Sequence, residues 1–292
     1  MRPYRGWWFL PWVLACLGLL GVFVWTPVFW LLQKSFYAFS LGEPPRWVGW
    51  QNFIECFTAD PLIPASLRLL AIVVLFQLLT KVVPLLVARI LYGLCSEKVR
   101  HGYRALFLLP WVIPGVAVQL IWLQLIYSDY GLLNRIGEFL GPRASPVAWL
   151  SHPTYALAAV LLVGFPFVSG LELLLFYAGF SRIPESVREA AALDGCRGWR
   201  RFLWVELPLL KPEIATVVSL TLISSIQAYE NVLVLTKGGP GFSTSLPGFL
   251  MYLQAFVYGR FGYACVIGLM LFLVILSLVY VTRRWEARSH AG

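Results

Sequence analysis

Residues 9–32 read FLPWVLACLGLLGVFVWTPVFWLL, a run of consecutive positions without a single Asp, Glu, Lys or Arg. A helix needs about 20 apolar residues to cross the hydrocarbon core of a bilayer, so this run predicts a membrane-spanning helix. Arg2 and Arg5 precede it, as basic residues precede a signal peptide. The apolar run is too long for the core of a cleaved signal, and we therefore expect an uncleaved first span.

The composition of the whole chain agrees with this stretch. Of its 292 residues, 59% are hydrophobic and only 13% are charged, with a mean hydropathy of +0.75. Soluble domains carry about 25% charged residues, so a soluble enzyme and a disordered chain are both disfavoured. We predict an all-α membrane protein with one transmembrane domain over residues 1–292, whose six helices lie at about 9–32, 65–94, 105–127, 155–179, 213–236 and 263–282.

The distribution of Lys and Arg predicts the orientation of these spans. If the N-terminus is cytoplasmic, 14 of the 23 basic residues fall on the inside and 7 on the outside, while Lys81 and Arg89 lie within the second span. Cytoplasmic loops are the ones enriched in Lys and Arg. We therefore expect both termini in the cytoplasm. Orientation also accounts for the net charge of +9, so a nucleic-acid partner is not needed to explain it.

Polar side chains inside the predicted spans are candidates for a solute path, because such groups are costly in a membrane and tend to be functional. Ser224, Gln227 and Asn231 recur at helical spacing in the fifth span, and Tyr229 offers a ring for stacking on a sugar. Adhesion between bundle helices is the alternative interpretation. The candidate path residues are Lys81, Glu172, Ser224, Gln227, Tyr229, Glu230 and Asn231, and we expect Lys81 to pair with Glu172 or Glu230.

The longest predicted inside loop, 181–212, begins SRIPESVREAAALDGCRGWRRFLWVELP. Its first part contains good helix formers, and Gly195 suits a left-handed residue at the end of a helix. A second short helix follows over 199–205, so we predict a helix–glycine–helix elbow. Small residues and charges favour a docking surface for a soluble partner, and an amphipathic segment lying on the bilayer is the alternative.

Four short motifs carry a resemblance to a known family. Glu189-Ala190-Ala191 with Gly195 and the later Val205-Glu206-Leu207-Pro208 resembles the EAA loop of permease subunits of binding-protein-dependent ABC importers, which usually has Ile in place of Val205. Residues 235–240, LTKGGP, resemble a segment of the carbohydrate-importer subfamily that contains the maltose-permease F-type subunits. The other two matches are GLLN at 131–134 and WVGWQNF at 47–53.

This resemblance implies a type I ABC importer fold and a set of partners. The elbow would be a coupling helix seated on a cytoplasmic ATPase, and its matched residues are Glu189, Ala190, Ala191, Asp194, Gly195 and Pro208. The chain would work with a second homologous permease, two ATPase subunits and an extracytoplasmic solute-binding protein, in the inner or plasma membrane of a bacterium or archaeon. It has no GxxxxGK[ST] loop, so ATP and Mg²⁺ are expected on the ATPase subunits and no cofactor on this chain.

Rival functions lack their signatures in this sequence. The spans contain no His pair, Ser–Lys arrangement or paired Asp residues for an intramembrane enzyme, and the five cysteines have no Cys-x-x-Cys spacing for a metal or disulfide framework. A self-sufficient channel or secondary transporter would not need a docking elbow. We expect a transport subunit for a neutral saccharide, with glycerol-3-phosphate or a polyol as alternative solutes.

Overall fold

The computed structural model describes residues 9–40, 42–93, 97–141 and 146–290. Within these ranges the chain is mostly helical, with a single two-stranded antiparallel sheet. The basic residues Arg2 and Arg5 and the predicted end of the second span at residue 94 lie outside the described ranges.

Helices of very different lengths follow one another along these ranges. In chain order, the helices and strands are α1 Leu10–Leu20, α2 Thr26–Lys34, β1 Tyr37–Ala38, β2 Arg46–Trp47, α3 Gln51–Ile54, α4 Leu62–Thr80, α5 Val82–Tyr92, α6 Glu97–Leu108, α7 Gly115–Ile121, α8 Leu132–Leu140, α9 Pro153–Leu162, α10 Gly170–Arg182, α11 Glu185–Leu193, α12 Gly198–Arg201, α13 Leu207–Leu209, α14 Lys211–Gln227, α15 Glu230–Leu235, α16 Pro247–Tyr252 and α17 Phe261–His290. Single π-helical turns follow α1, α3, α7, α12 and α16, and a 3₁₀ turn follows α6.

Three continuous helices among the described residues have the length and hydropathy to cross a membrane. They run over Leu10–Lys34, Leu62–Tyr92 and Phe261–Trp285. A fourth crossing is present if the helices Gly198–Leu209 and Lys211–Gln227, which meet at an angle of 72°, count as one broken span. The three continuous helices overlap the predicted first, second and sixth spans, whereas of the bent pair only Lys211–Gln227 overlaps the predicted fifth span and Gly198–Leu209 belongs to the predicted elbow.

The predicted spans at 105–127, 155–179 and 213–236 are each interrupted in the structure. Ile113 is extended before Pro114, as expected because proline disfavours the helical conformation of the preceding residue. The fourth span is interrupted between α9 and α10 around Pro166, which also lacks a donor for a helical hydrogen bond. The fifth breaks at Ala228, which is extended although neither Gly nor Pro is nearby.

The described residues form two compact units. In the first, which contains 9–63 and 250–272, a cluster of aromatic rings packs around Phe36, with the rings of Trp50 and Phe53 each 5.1 Å away. Asn52 donates hydrogen bonds from Nδ2 to the carbonyl oxygens of Ser35 and Tyr37, at 2.9 and 3.0 Å. The motif at 47–53 therefore builds the fold of this unit.

A polar cavity of about 370 Å³ lies in the same unit. The Arg260 guanidinium, on its wall, donates from Nη2 to both carboxylate oxygens of Glu55, at 2.7 and 2.6 Å. Close by, the Tyr263 hydroxyl donates to Asp60 Oδ2 at 2.7 Å. These bonds join the short helical segment after β2 to the beginning of α17.

The second unit contains 64–249 and 273–290, and its core lies where α5 packs along α10. Ala88 of α5 and Leu173 of α10 are fully buried there. The same cluster includes the buried side chains of Leu91, Phe176, Phe180, Ile183, Phe202, Leu210 and Val217. Burial of apolar side chains is the main favourable contribution to helix packing outside lipid contact, so this cluster fixes the predicted elbow against α5 and α10.

Candidate solute path and coupling elbow

Two neighbouring cavities in the second unit are lined by three of the seven candidate path residues, Lys81, Ser224 and Asn231. One has a volume of about 200 Å³, and its polar lining consists of Gln77, Ser224, Ser225 and Asn231. The other has a volume of about 160 Å³ and is lined by Gln77, Thr80, Lys81 and Ser169, together with the ring of Phe167. Gln77 borders both cavities, and we call the two together the polar region, which extends from the end of α4 to α15.

Lys81 and Glu172 form an ion pair at one end of this polar region. Lys81 Nζ lies 2.8 Å from Glu172 Oε1, and the two side chains are 18% and 12% exposed. The predicted pairing of Lys81 with Glu172 is confirmed, and Glu230 is not the partner. Glu172 Oε2 is buried without a hydrogen bond from the described residues. The pair is neutral as a whole, so Lys81 adds no net positive charge to the cavity.

Gln119 holds the side-chain amide of Asn231 in place at the other end of the polar region. Its Nε2 donates to Asn231 Oδ1 at 2.6 Å, which joins α7 to α15. This bond occupies the oxygen of Asn231 and leaves its Nδ2 group as a donor toward the cavity. Ser224 donates its hydroxyl proton to the Thr221 carbonyl, so its oxygen is an acceptor. The cavity thus offers both donors and acceptors, which is what a polyhydroxylated solute requires.

The polar stripe predicted in the fifth span, Ser224, Gln227 and Asn231, is only partly assembled. Ser224 and Asn231 line the same cavity, but Gln227 is exposed at the last residue of α14 and is not on the cavity wall. Tyr229 is half-buried in the break, and Glu230 is exposed at the first residue of α15. The stripe required a continuous helix, and the break at Ala228 separates its members.

The predicted elbow is present with the expected turn. Helix α11 ends in a left-handed Gly195 with φ +72°. The Gly195 N–H donates to the Ala192 carbonyl at 3.2 Å and the Cys196 N–H to the Ala191 carbonyl at 2.8 Å. These two bonds form a Schellman motif, after which α12 and its π-helical turn make the second arm.

The residues matched to the EAA motif divide into two groups by exposure. Glu189, Ala190, Asp194 and Gly195 are exposed, whereas Ala191 is buried within the elbow. Leu193, beside them, is 89% exposed. Leu193 therefore adds an exposed apolar side chain to this surface of small and acidic residues. Pro208 lies in the second position of α13, where the elbow returns to α14.

The sequence did not assign a role to several residues that organise this region. In the sequence, Glu206 was noted only as a position of the EAA motif. Its side chain is 1% exposed and contacts arginines from α5, α11 and α12. Gly179 lies so close to α14 that a Cβ atom would come within 2.8 Å of the Glu213 side chain. No local pattern indicates such contacts, since they join segments far apart in the sequence.

The glycine-rich motif at 235–240 forms a compact turn. Gly238 has φ +83°, and a Cβ atom there would lie 2.5 Å from Ser245 Oγ. The Thr244 hydroxyl is 2.7 Å from the Thr236 hydroxyl and donates to the Gly239 carbonyl at 2.9 Å. The positive φ and the close approach of Ser245 require glycine at position 238. The Thr244 contacts close the loop after α15.

The asparagine of the GLLN motif joins α8 to the segment that follows it. Asn134 donates from Nδ2 to the carbonyl oxygens of Ser128 and Val147, and its Oδ1 accepts from the Val147 N–H and the Trp149 indole. All four bonds are between 3.0 and 3.2 Å. Asn134 is 3% exposed, so the motif residue has a structural role.

Comparisons with known proteins agree with this architecture. The family described as binding-protein-dependent transport system inner membrane component matches residues 85–289. The multiple sugar-binding transport system permease protein MsmF of Streptococcus mutans is 32% identical over 94% of this chain and 92% of its own length. The trehalose/maltose transport system permease protein MalF of Thermococcus litoralis is 30% identical over 92% of this chain and 90% of its own.

A solved structure gives the same fold. The bacterial alginate ABC transporter in complex with an alginate pentasaccharide-bound periplasmic protein contains a chain with a TM-score of 0.82 and 18% identity, covering 97% of this chain and 95% of that one. The relatives of this chain are transport components and not enzymes. Since the family match extends over most of the sequence, the chain belongs to the permease components of binding-protein-dependent ABC transport systems, in the branch that contains these sugar permeases.

Proposed function

We propose that this chain forms half of the translocation path of an ATP-driven importer for a neutral saccharide. The observation that carries the proposal is the polar region between Lys81 and Asn231, where hydroxyl and amide groups lie on the walls of two cavities that share Gln77 and the lining cation, Lys81, is paired with Glu172. Sugars need donors and acceptors in alternation and do not need a counter-charge. The sugar permeases among its relatives support the same solute class.

An acidic saccharide is the second candidate, since alginate is an acidic polysaccharide and its importer has the same fold. An anionic solute would require cationic side chains on the path. Lys81 is the deep cation of the described cavities, and its charge is offset by Glu172 at 2.8 Å. The neutral solute is therefore preferred, and glycerol-3-phosphate is disfavoured on the same ground.

The elbow is the proposed contact with the ATPase. Glu189, Ala190, Asp194 and Leu193 are exposed on or next to α11, while Ala191 is turned into the elbow. Ala190 permits close approach of another backbone, and the exposed carboxylates provide complementarity for basic groups of a partner. ATP and Mg²⁺ belong to that partner, because this chain has no phosphate-binding loop.

The complete proposal contains six crossings and a set of partners. The helices that are interrupted near residues 113, 166 and 228 would complete the third, fourth and fifth crossings, with both termini in the cytoplasm as the basic residues indicate. Broken helices are tolerated at membrane depth where they line a cavity. The partners are a second permease, two ATPase subunits and an extracytoplasmic solute-binding protein, in a bacterial or archaeal inner or plasma membrane.

Reconstitution tests this function. The chain is purified from its native host with whatever subunits accompany it, and the complex is placed in proteoliposomes with its binding protein and a panel of neutral and acidic sugars. We expect co-purification of an ATPase and a second permease, and ATP hydrolysis stimulated by a neutral sugar. Purification as a lone oligomer that conducts solute without ATP would support a channel and contradict the proposal.

A further inference from the structure

The side chain of Glu206 lies at the centre of three arginines. Arg89 Nε is 2.5 Å from Glu206 Oε2, and Arg201 Nε is 3.1 Å from Oε1. Arg188 Nε is farther, at 4.0 Å from Oε1. Arg89 Nε, Arg201 Nε and Glu206 Oε2 make no aligned hydrogen bond to the described residues, so attraction between charges holds this group together.

The three arginines come from different parts of the second unit. Arg188 is on α11 and Arg201 on α12, so both belong to the elbow, whereas Arg89 is in the last turn of α5. Glu206 therefore joins the two arms of the elbow to each other and to a predicted membrane-spanning helix. Arg89 is the partner that lies outside the elbow.

A second contact ties the elbow to the same place. The Arg188 guanidinium donates to the Tyr92 hydroxyl at the end of α5 and, from Nη2, to the Phe180 carbonyl of α10 at 2.7 Å. It also lies over the Tyr92 ring, 4.1 Å from its centroid. The elbow thus has polar anchors on both α5 and α10, over the buried apolar cluster.

The opposite end of α5 is at the cavity. Lys81 immediately precedes α5 and pairs with Glu172 in the first turn of α10. Lys81 and Arg89 are eight positions apart, which is about 12 Å along a helix. An ion pair is therefore present at each end of α5, one facing the cavity and one facing the elbow, with tight apolar packing between them.

We infer that Glu206 is a positioning residue that keeps the elbow in register with α5, so that displacement of the elbow is carried along α5 to Lys81 and the cavity. This inference rests on the proposed function, because it presumes that an ATPase moves the elbow. A packed helix fixed at both ends moves as a rigid body and transmits displacement over its length.

Arg89→Gln is the first test variant. The group carries three positive charges and one negative charge, so loss of Arg89 reduces the excess positive charge and leaves Glu206 with Arg201. Glu206→Gln, in contrast, leaves Arg89 and Arg201 without their carboxylate, while Arg188 keeps Glu185 at 3.3 Å, and is expected to impair folding. Arg182→Gln is the matched control, since Arg182 pairs with Glu213 of α14 and forms no hydrogen bond or ion pair with α5 in the described part of the chain.

The assay measures solute transported per ATP hydrolysed by the complete complex in proteoliposomes. We expect Arg89→Gln to retain ATP hydrolysis and to lower this ratio about tenfold, within the range of coupling between distant sites. Arg89→Lys, which keeps the charge, restores most of the ratio, and Arg182→Gln leaves it unchanged. An unchanged ratio in Arg89→Gln, or equal loss in Arg182→Gln, would overturn the inference.

A distance measurement tests the same point without altering the ion pairs. Spin labels are placed at the exposed positions Ile90 of α5 and Trp204 of the elbow, with the native cysteines replaced by serine. When the ATPases are trapped with nucleotide and vanadate, we expect the distance to change by no more than about 2 Å. A larger change, up to about one helical turn of about 5 Å, would show that the elbow slides past α5 and would refute the inference. Absence of ATP-driven uptake in the parent complex would instead contradict the proposed function, and this distance would still be informative.

Discussion

The ion pair between Lys81 and Glu172 allows a double-mutant cycle that tests the neutral cavity. The changes are Lys81→Met, Glu172→Gln and the two together. Removing one partner of a fully buried pair costs about 3–5 kcal/mol, since the other charge stays buried without compensation. The two side chains are 18% and 12% exposed, so we expect the lower end, about 3 kcal/mol, for each single change.

The double variant is expected to lie within about 1 kcal/mol of the parent, because neither charge is left alone. The assay is the thermal inactivation midpoint of the purified complex, measured at matched protein and detergent concentrations. The predicted order places both single variants well below the parent and the double variant close to it. A double variant no more stable than the less stable single one would refute the view that these two charges compensate each other.

The same variants change the charge of the cavity in a defined direction. Glu172→Gln leaves Lys81 as an unpaired cation, and a unit charge about 6 Å away attracts an anion by about 3 kcal/mol at an effective dielectric constant of about 20. Water in the cavity reduces this value, so we expect glucuronate to inhibit sugar uptake about tenfold more strongly than in the parent. Equal inhibition of the two proteins would place the solute path away from Lys81.

Three further predictions concern two of the structural motifs and the buried thiol of Cys56. Gly238→Ala should lower the free energy of unfolding by about 2–5 kcal/mol, because the left-handed backbone and the close contacts both oppose a Cβ. Gly241 also has a positive φ, +56°, but open space surrounds it. Gly241→Ala should therefore lower the free energy of unfolding by only about 1–2 kcal/mol in the same thermal assay. Asn134→Ala should destabilise the protein by about 2–3 kcal/mol through loss of its four hydrogen bonds, and Asn134→Asp, which brings a buried carboxylate oxygen against the two carbonyl oxygens, should lose at least as much. Burial raises the pKa of the Cys56 thiol to about 11, so maleimide should label Cys56 about 100-fold more slowly than an ordinary thiol at pH 8, and the labelling rate should rise up to about pH 11. Cys196 in the elbow provides the internal comparison. Rapid labelling of Cys56 would contradict its burial.

The membrane class and the elbow could be predicted because their signals are local. The apolar run over 9–32 is sufficient by itself to predict one membrane-spanning helix. Gly195 after a run of helix formers predicts that the helix ends in a residue with a left-handed backbone conformation. The Lys81 pair was predicted only as a choice between two acids, since nothing in the sequence fixes the distance from residue 81 to residue 172. The structure selects Glu172 because α5 packs along α10.

Other features could not be predicted, because their causes are distant in sequence. Residues 227–230 read QAYE and contain no helix breaker, so the interruption at Ala228 must come from tertiary contacts that override local preference. Glu206 is similar, since its partner Arg89 is more than one hundred positions away. The sequence therefore marked Glu206 only as a position of the EAA motif and did not predict the group of charges that anchors the elbow.

The most direct measurement of the central claim is a cross-linking experiment at the elbow. Leu193 and Phe139 are 89% and 90% exposed, and each is replaced by cysteine in a background whose native cysteines are serine. In the intact membrane complex, Leu193→Cys is expected to cross-link to the ATPase subunit, while Phe139→Cys is not. Labelling of Leu193→Cys by an impermeant reagent from outside, or cross-linking of the ATPase by Phe139→Cys instead, would contradict the assignment of this elbow as the site where ATP hydrolysis drives transport.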